Sequence, residues 1–415
     1  MVNTKVIIVG AGIAGPVLAV FLKARGYDPV IYDRLPGPAE GGHVFTLQPN
    51  GIRVLSLIPE LVEQIPGHPL DRLIHCSCLD GVEDILVVTD ISPAMMRERF
   101  GFPFIGIRRP EFQQLLIDTA KKHGVEIKWS HQAIEFEQSE DAVEVTFANG
   151  TKDTASFVVG CDGLHSNTRI ALFGEEKADL YGNGAGEPVS VTVLVGGVSP
   201  TPPVFQGRLA LVNNYGDGRH MIAYPVTEDK YSWAITTRGA EAKEDWRTQN
   251  EEQQNEIRNG PFSAWGFGAG DLVKTGQKIV KYGLYDRPKL ESWFKGRIIL
   301  LGDAAHPSSP HLGQGANQAF EDIYHFMRLL GKHNPSADQP STELLLRVFT
   351  DYQDLRLLRT SELAKGARQR GEFRVVEGVD ACKTRNEAIR TGFDDDAAKK
   401  ARDKLWSGPF TESEM

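Results

Sequence analysis

The sequence has 415 residues, of which 41% are hydrophobic and 24% charged, with a net charge of −9 at pH 7. This is enough chain for roughly two to three domain-sized units around a buried core, and the acidic balance removes the basic footprint that nucleic acid or an anionic membrane requires. The four cysteines, Cys76, Cys78, Cys161 and Cys382, form no C-x-x-C pair and read as reduced thiols of a cytoplasmic protein rather than as disulfides.

Residues 5–9 form a β-branched run of the kind expected for a buried parallel strand. The run leads into Gly10-Ala11-Gly12-Ile13-Ala14-Gly15, a complete G-x-G-x-x-G, and then into Ala14, Val17, Leu18, Phe21 and Leu22 at helical spacing, with Gly26 as the stop. A second strand over 29–32 ends at Asp33, which Arg34 follows. The apolar stretch 6–22 is not read as a membrane segment. Lys23 and Arg25 follow it, only Lys5 precedes it, and its centre is broken by glycine and proline. The unit is a βαβ dinucleotide fold. Gly10 permits the turn, Gly12 clears a path for a pyrophosphate, Gly15 lets helix and strand pack, and Asp33 accepts from a ribose hydroxyl.

Arg108-Arg109-Pro110 opens a helix whose face is expected to carry Phe112, Leu115, Leu116 and Thr119. A strand over 125–129 and a three-stranded meander over 134–137, 143–147 and 154–159 follow, with Asn149-Gly150 as a turn. The last strand delivers Asp162-Gly163. Four antiparallel strands are expected over 189–195, 209–213, 220–226 and 231–237. Another buried strand over 297–301 ends in Gly302-Asp303-Ala304-Ala305-His306-Pro307, and Pro310-His311-Leu312-Gly313-Gln314-Gly315-Ala316-Asn317 leads into a helix that Gly331 should stop. Beyond 335 a helix is expected with Leu345, Val348, Phe349, Tyr352 and Leu355 on its buried face and no chemistry of its own. His306 and His311, five apart, read as structural rather than as metal ligands.

With its G-x-G-x-x-G, Asp162-Gly163 and Gly302-Asp303 motifs in this order, and the Pro-x-x-Gly-x-Gly-x-Asn extension, the chain resembles the flavoprotein aromatic hydroxylases, the single-component FAD monooxygenases. The resemblance covers roughly residues 5 to 330. It implies an α/β architecture with a Rossmann-like (glutathione-reductase-type) FAD-binding domain (1–75, 101–180 and 282–335), an antiparallel β-sheet substrate domain (76–100 and 181–281) and C-terminal helices (336–415). It implies bound FAD, transient NADPH or NADH, and O2 as co-substrate, with oxygen delivered by a flavin C4a-hydroperoxide to hydroxylate or epoxidise a small aromatic or polycyclic molecule. A monomer or homodimer would suffice.

The same resemblance assigns Asp33 to the adenosine ribose, Arg109 to the FAD linker, Asp162 and Gly163 to FAD and nicotinamide, and Asp303 to the ribityl and pyrophosphate region. Pro310, Gly313, Gly315, Ala316 and Asn317 would run along the isoalloxazine, with Arg34 and Gly42 counted among the cofactor residues. Tyr224 and Arg219 are candidates to hydrogen-bond a substrate phenol or carboxylate, Tyr224 being the sole catalytic candidate. Two positions depart from the family pattern: Asp33 where Glu is commoner, and His43-Val44-Phe45 after Gly41-Gly42, where small residues are usual. A flavin reductase or halogenase on the same fold is the alternative, and a cofactor-free binding protein a further one. The six tryptophans include no W-x-W, the halogenase stretch.

Overall fold

The computed structural model describes residues 4–39, 44–174, 192–239, 247–284, 289–392 and 395–410. Gly42 and its neighbours Gly41 and His43, and the first residues of the strand expected over 189–195, lie outside the described residues.

The first strand, Lys5–Val9, occupies the middle of a six-stranded sheet in the order Phe294–Lys295, Ile298–Leu300, Phe157–Gly160, Lys5–Val9, Asp28–Tyr32, Glu126–Lys128. All pairings are parallel except that of Phe294–Lys295 with Ile298–Leu300. Val6, Ile7 and Ile8 are fully buried, as expected for a parallel strand covered on both faces. Helices Ala14–Ala24, Arg109–Lys122 and Gly315–His333 pack on one another around this sheet.

A second sheet has eight strands. Arg247–Thr248, Gln277–Leu284, Thr192–Pro200, Lys230–Arg238, Arg219–Thr227 and Ala210–Tyr215 are antiparallel neighbours, and the sheet continues through Arg72–Ser77 to Asp84–Asp90. Its outer face carries Met221, Ala223, Trp233 and Ile235 against Ala269, Leu272 and Val273. Its inner face carries Ile222, Tyr224 and Val226 against Phe100 and Phe104. The α/β fold expected from the sequence is therefore present, with a parallel sheet, an antiparallel sheet and C-terminal helices.

Four local expectations are corrected. The strand over 154–159 is two strands. Lys152–Ala155 completes the meander, Phe157–Gly160 joins the parallel sheet, and the break falls at Ser156. There the Arg297 guanidinium takes both the Ser156 carbonyl (2.6 Å) and hydroxyl (3.1 Å). The helix from Gly315 does not stop at Gly331 but runs to His333. Gly331 makes room for a neighbour instead, because a Cβ there would lie 3.1 Å from the Arg25 guanidinium. The Arg109–Lys122 helix buries Gln113, Ile117 and Ala120 beside Phe112 and Leu116, in place of Leu115 and Thr119. In the long helix Thr342–Arg374, Leu355 is 43% exposed and Arg356 takes the buried place below Tyr352. Four residues after Tyr352, Arg356 shares its face, whereas Leu355 is rotated away.

No helix among the described residues is long and apolar enough to cross a membrane. Cys76, Cys78, Cys161 and Cys382 are all free and buried.

Candidate active site

Three neighbouring parallel strands end at one edge of the six-stranded sheet, and each delivers one motif. Lys5–Val9 leads to the glycine loop, Phe157–Gly160 to Asp162-Gly163, and Ile298–Leu300 to Gly302-Asp303. Such a carboxyl edge is where open α/β sheets bind ligands.

The three motif glycines do different jobs. Gly10 has φ +109°, and a Cβ there would lie 2.5 Å from the Cys161 carbonyl oxygen. At Gly15 a Cβ would lie 2.0 Å from the Gly10 carbonyl oxygen, so both positions are closed by the fold itself. At Gly12 the nearest atom to a Cβ would be the tip of Arg109, 4.0 Å away, so that face is open. The helix behind the loop starts with no side-chain cap and no acid in its first turn. The helix from Gly315 starts in the same way. Each helix start therefore offers backbone N–H groups and a positive pole to an anionic or electron-rich ligand.

Asp33 accepts from the Ala11 amide (2.7 Å) through one carboxylate oxygen and from the Leu35 amide (2.8 Å) through the other. It ties the second strand to the glycine loop, and each oxygen keeps a lone pair for a ribose hydroxyl. Arg34 is exposed beside it. Asp162 accepts from the Ser166 hydroxyl (2.6 Å) and from the amide and hydroxyl of Thr168 (both 2.9 Å). Its carboxylate thus braces its own loop, while Gly163, at φ +75°, has open space where a Cβ would be.

Asp303 is enclosed by protein, and that enclosure raises its carboxyl, with His306, Arg109 and Arg169 pulling the other way. The residue is nevertheless exposed, so its carboxylate is open to a ligand. Gly315 lies beside it, since a Cβ there would be 3.7 Å from Asp303 Oδ1. Pro310 is exposed, Gly313 (φ +63°), Gly315 and Ala316 are partly exposed, and all four line the loop. Asn317 differs. It is fully buried, accepts from the Gln48 amide (3.0 Å) and donates to the carbonyls of Thr46 (3.1 Å) and Gly313 (2.8 Å), so it shapes the loop and has no surface left for a ligand.

These residues fit FAD. An open glycine face and an arginine meet an exposed carboxylate, between two uncapped helix starts. A sequence profile of the FAD binding domain family matches residues 3–343. The chain belongs to this family. It is 30% identical over 394 residues to the 3-amino-4-hydroxybenzoate 2-monooxygenase of Streptomyces cremeus, covering 94% of this chain and 93% of that one. It is 28% identical to the 6-hydroxynicotinate 3-monooxygenase of Pseudomonas fluorescens, covering 80% and 84%. The Klebsiella pneumoniae HpxO structure with FAD and uric acid shares the fold, with a TM-score of 0.78 at 21% identity over 98% of this chain and 97% of that one. The protein is an FAD-dependent oxidoreductase of the monooxygenase type.

Tyr224 lies on the inner face of the eight-stranded sheet, 7% exposed, and burial raises its phenol. Arg219 is not beside it. It sits over the Phe262 ring, 5.6 Å from the centroid, on the other face. Side chains alternate along a strand, so an odd separation places 219 and 224 on opposite faces and gives the inner face to His220. Parity was the signal in the sequence that identifies His220 and excludes Arg219.

Sequence reasoning also missed the support of the Gly302-Asp303 loop. Asp322 accepts from the Gly302 amide (2.9 Å) and pairs with His306 Nε2 (2.6 Å). Arg356 in turn donates to Asp322 Oδ1 (2.7 Å) and Glu321 Oε2 (2.8 Å), and Arg359 makes two 2.7 Å bonds to Glu321. Asp322 and Glu321 are wholly buried. The C-terminal helix, expected to lack chemistry, thus supplies the counter-charge that holds the Gly302-Asp303 loop. His306 and His311 go to different partners, Asp322 and Arg374.

Asp303 makes no side-chain hydrogen bond to any described residue, so Asp303→Ala is expected to leave the fold intact while weakening retained FAD by about 10-fold or more, the worth of one charged hydrogen bond. Flavin content after gel filtration, read beside the melting temperature of the flavin-free protein, checks it. Full flavin retention would remove Asp303 from the site.

Proposed function

We propose that the protein oxygenates a small aromatic or polycyclic molecule held between the cofactor and the inner face of the eight-stranded sheet, using NADPH or NADH and O2. The observation that carries this reading is the convergence of the glycine loop, the Asp162 loop and the Asp303 loop on one edge of the parallel sheet. Bound FAD supplies the redox chemistry, accepting hydride from the nicotinamide and activating oxygen.

The chain's own residues bind, orient and exclude water. The Gly12 face and Arg109 receive the pyrophosphate, Asp33 the adenosine ribose, and Asp303 the ribityl chain. The loop from Pro310 to Ala316 runs along the isoalloxazine, where the start of the Gly315–His333 helix favours negative charge on the ring system. Tyr224 presents its hydroxyl to the substrate from a face otherwise lined by Ile222, Leu211 and Val198. That apolar wall keeps water from the reacting ring. With its phenol raised by burial, Tyr224 stays protonated at neutral pH and acts as a hydrogen-bond donor.

The test is the visible spectrum of protein incubated with FAD and freed of excess, followed by anaerobic NADPH or NADH and then by 18O2 with a panel of hydroxylated aromatics. Retained flavin, bleaching, and one 18O atom in the product are expected. Bleaching that yields only hydrogen peroxide across the panel would favour a reductase. Tyr224→Phe is expected to keep full flavin and to lower kcat/KM for the hydroxylated aromatic by about 10-fold. Unchanged kcat/KM would place the substrate elsewhere.

A further inference from the structure

The cofactor residues leave one buried, positively charged corner of the inner face unused. Register puts His75, Asn213, Tyr215 and His220 side by side there. The corner is closed by His311, next in the chain to Pro310, and by Arg370 and Arg374 of the long helix. Arg374 is 7% exposed. Its Nη1 lies 3.1 Å from His311 Nδ1, and its Nε has no hydrogen-bond partner among the described residues. Among the described residues Arg370 reaches only the Tyr215 hydroxyl, at 3.4 Å, and the Phe373 ring. No described carboxylate pairs with either arginine. The nearby acids are committed elsewhere, Glu372 to Arg238 (2.9 Å) and Asp217 to the Gly378 amide (2.7 Å).

His220 is wholly buried. Its Nε2 meets Asn213 Oδ1 at 3.0 Å, and its Nδ1 has no hydrogen-bond partner among the described residues. Burial, reinforced by the two arginines, lowers His75 and His220, and lowers His311 to about 3. The histidines are therefore neutral at pH 7, and the corner's charge is that of the arginines. A guanidinium withdrawn from water without a counter-charge is a costly arrangement that an incoming anion relieves.

We propose that Arg374, supported by Arg370, is the subsite that receives the carboxylate of an aromatic acid substrate. The planar guanidinium matches a carboxylate in a way an amide does not. The corner is joined to the cofactor loop, because Gly371 packs so closely on His311 that a Cβ there would lie 2.5 Å from its ring. His220 and Tyr224 stand four residues apart on one strand, about 13 Å, on the same inner face with Ile222 between them. This inference rests on the proposed function in placing the substrate under this sheet.

The experiment uses the flavin-loaded full chain and the matched probes 3-hydroxybenzoate and 3-hydroxybenzamide. Dissociation constants are read from the flavin absorbance change, and in parallel from thermal shift on protein without added FAD. The expected result is an acid bound about 10-fold or more tighter than the amide, a preference lost in Arg374→Gln and partly kept in Arg374→Lys. Arg374→Gln should also raise the melting temperature of the unliganded protein, because it removes a buried unpaired charge. A residue kept only for structure would lower it. Equal affinity for the two probes, binding of neither, or a preference that survives Arg374→Gln overturns the subsite. Failure to retain flavin would count against the proposed function alone, since thermal shift still reads the anion preference.

Discussion

Arg356→Met is expected to destabilise the protein by about 3–5 kcal/mol, the cost of leaving a buried carboxylate without its partner. Arg356 and Arg359 together face Glu321 and Asp322, all within the core except for the partly exposed Arg359. Methionine fills similar space but supplies no charge, so two acids are left with one arginine and the neighbouring His306. Asp322 also holds the Gly302 amide, so flavin retention should fall together with stability. Urea unfolding of both proteins, with flavin content measured on the same samples, gives the two numbers. A loss below about 1 kcal/mol would mean that one of the acids is already neutral in the fold.

The same network sets a pH dependence. Burial opposes ionisation of Asp322, but His306 and Arg356 outweigh it and hold the carboxyl at about 2. A carboxyl depressed in the folded state stabilises the fold above its unfolded pKa of about 4, and that contribution disappears as pH falls towards 2. In Arg356→Met part of the depression is removed, so this carboxyl contributes less at neutral pH and its acid loss is smaller and complete at a higher pH. The gap between the unfolding midpoints of the two proteins should therefore be full from pH 6 down to about pH 4 and should narrow as pH falls from there towards 2.

Gly12→Val is expected to fold normally and to bind FAD at least about 100-fold more weakly, the worth of losing two charge-assisted hydrogen bonds to the pyrophosphate. The fold tolerates the side chain because only the tip of Arg109 approaches, at 4.0 Å. That same open face is the proposed path of the pyrophosphate. Gly15→Ala provides the contrast. Its Cβ would lie 2.0 Å from the Gly10 carbonyl oxygen, so it should lower stability as well as flavin content. A Gly12→Val protein that keeps its yellow colour through gel filtration would move the pyrophosphate away from this loop.

The sequence by itself determined the βαβ unit and the glycine, Asp162-Gly163 and Gly302-Asp303 motifs, and FAD followed only from the resemblance that these motifs carry together. Those signals are local, because a turn that needs glycine, a strand of β-branched residues and a helix of apolar period are all written within a few dozen residues. It also contained the parity that separates Arg219 from Tyr224, legible once side-chain alternation is applied to Arg219–Thr227. What it did not contain was which charges meet. Nothing near Asp322 in the chain announces Arg356, and nothing near His311 announces Arg374. Periodicity even suggested Leu355 for the buried position that Arg356 holds. A helical face shows which residues turn inward but not what they turn toward, and electrostatic partners are chosen by distance in space. The tertiary structure decided that the C-terminal helix holds the Gly302-Asp303 loop on one side and closes the inner face of the sheet on the other.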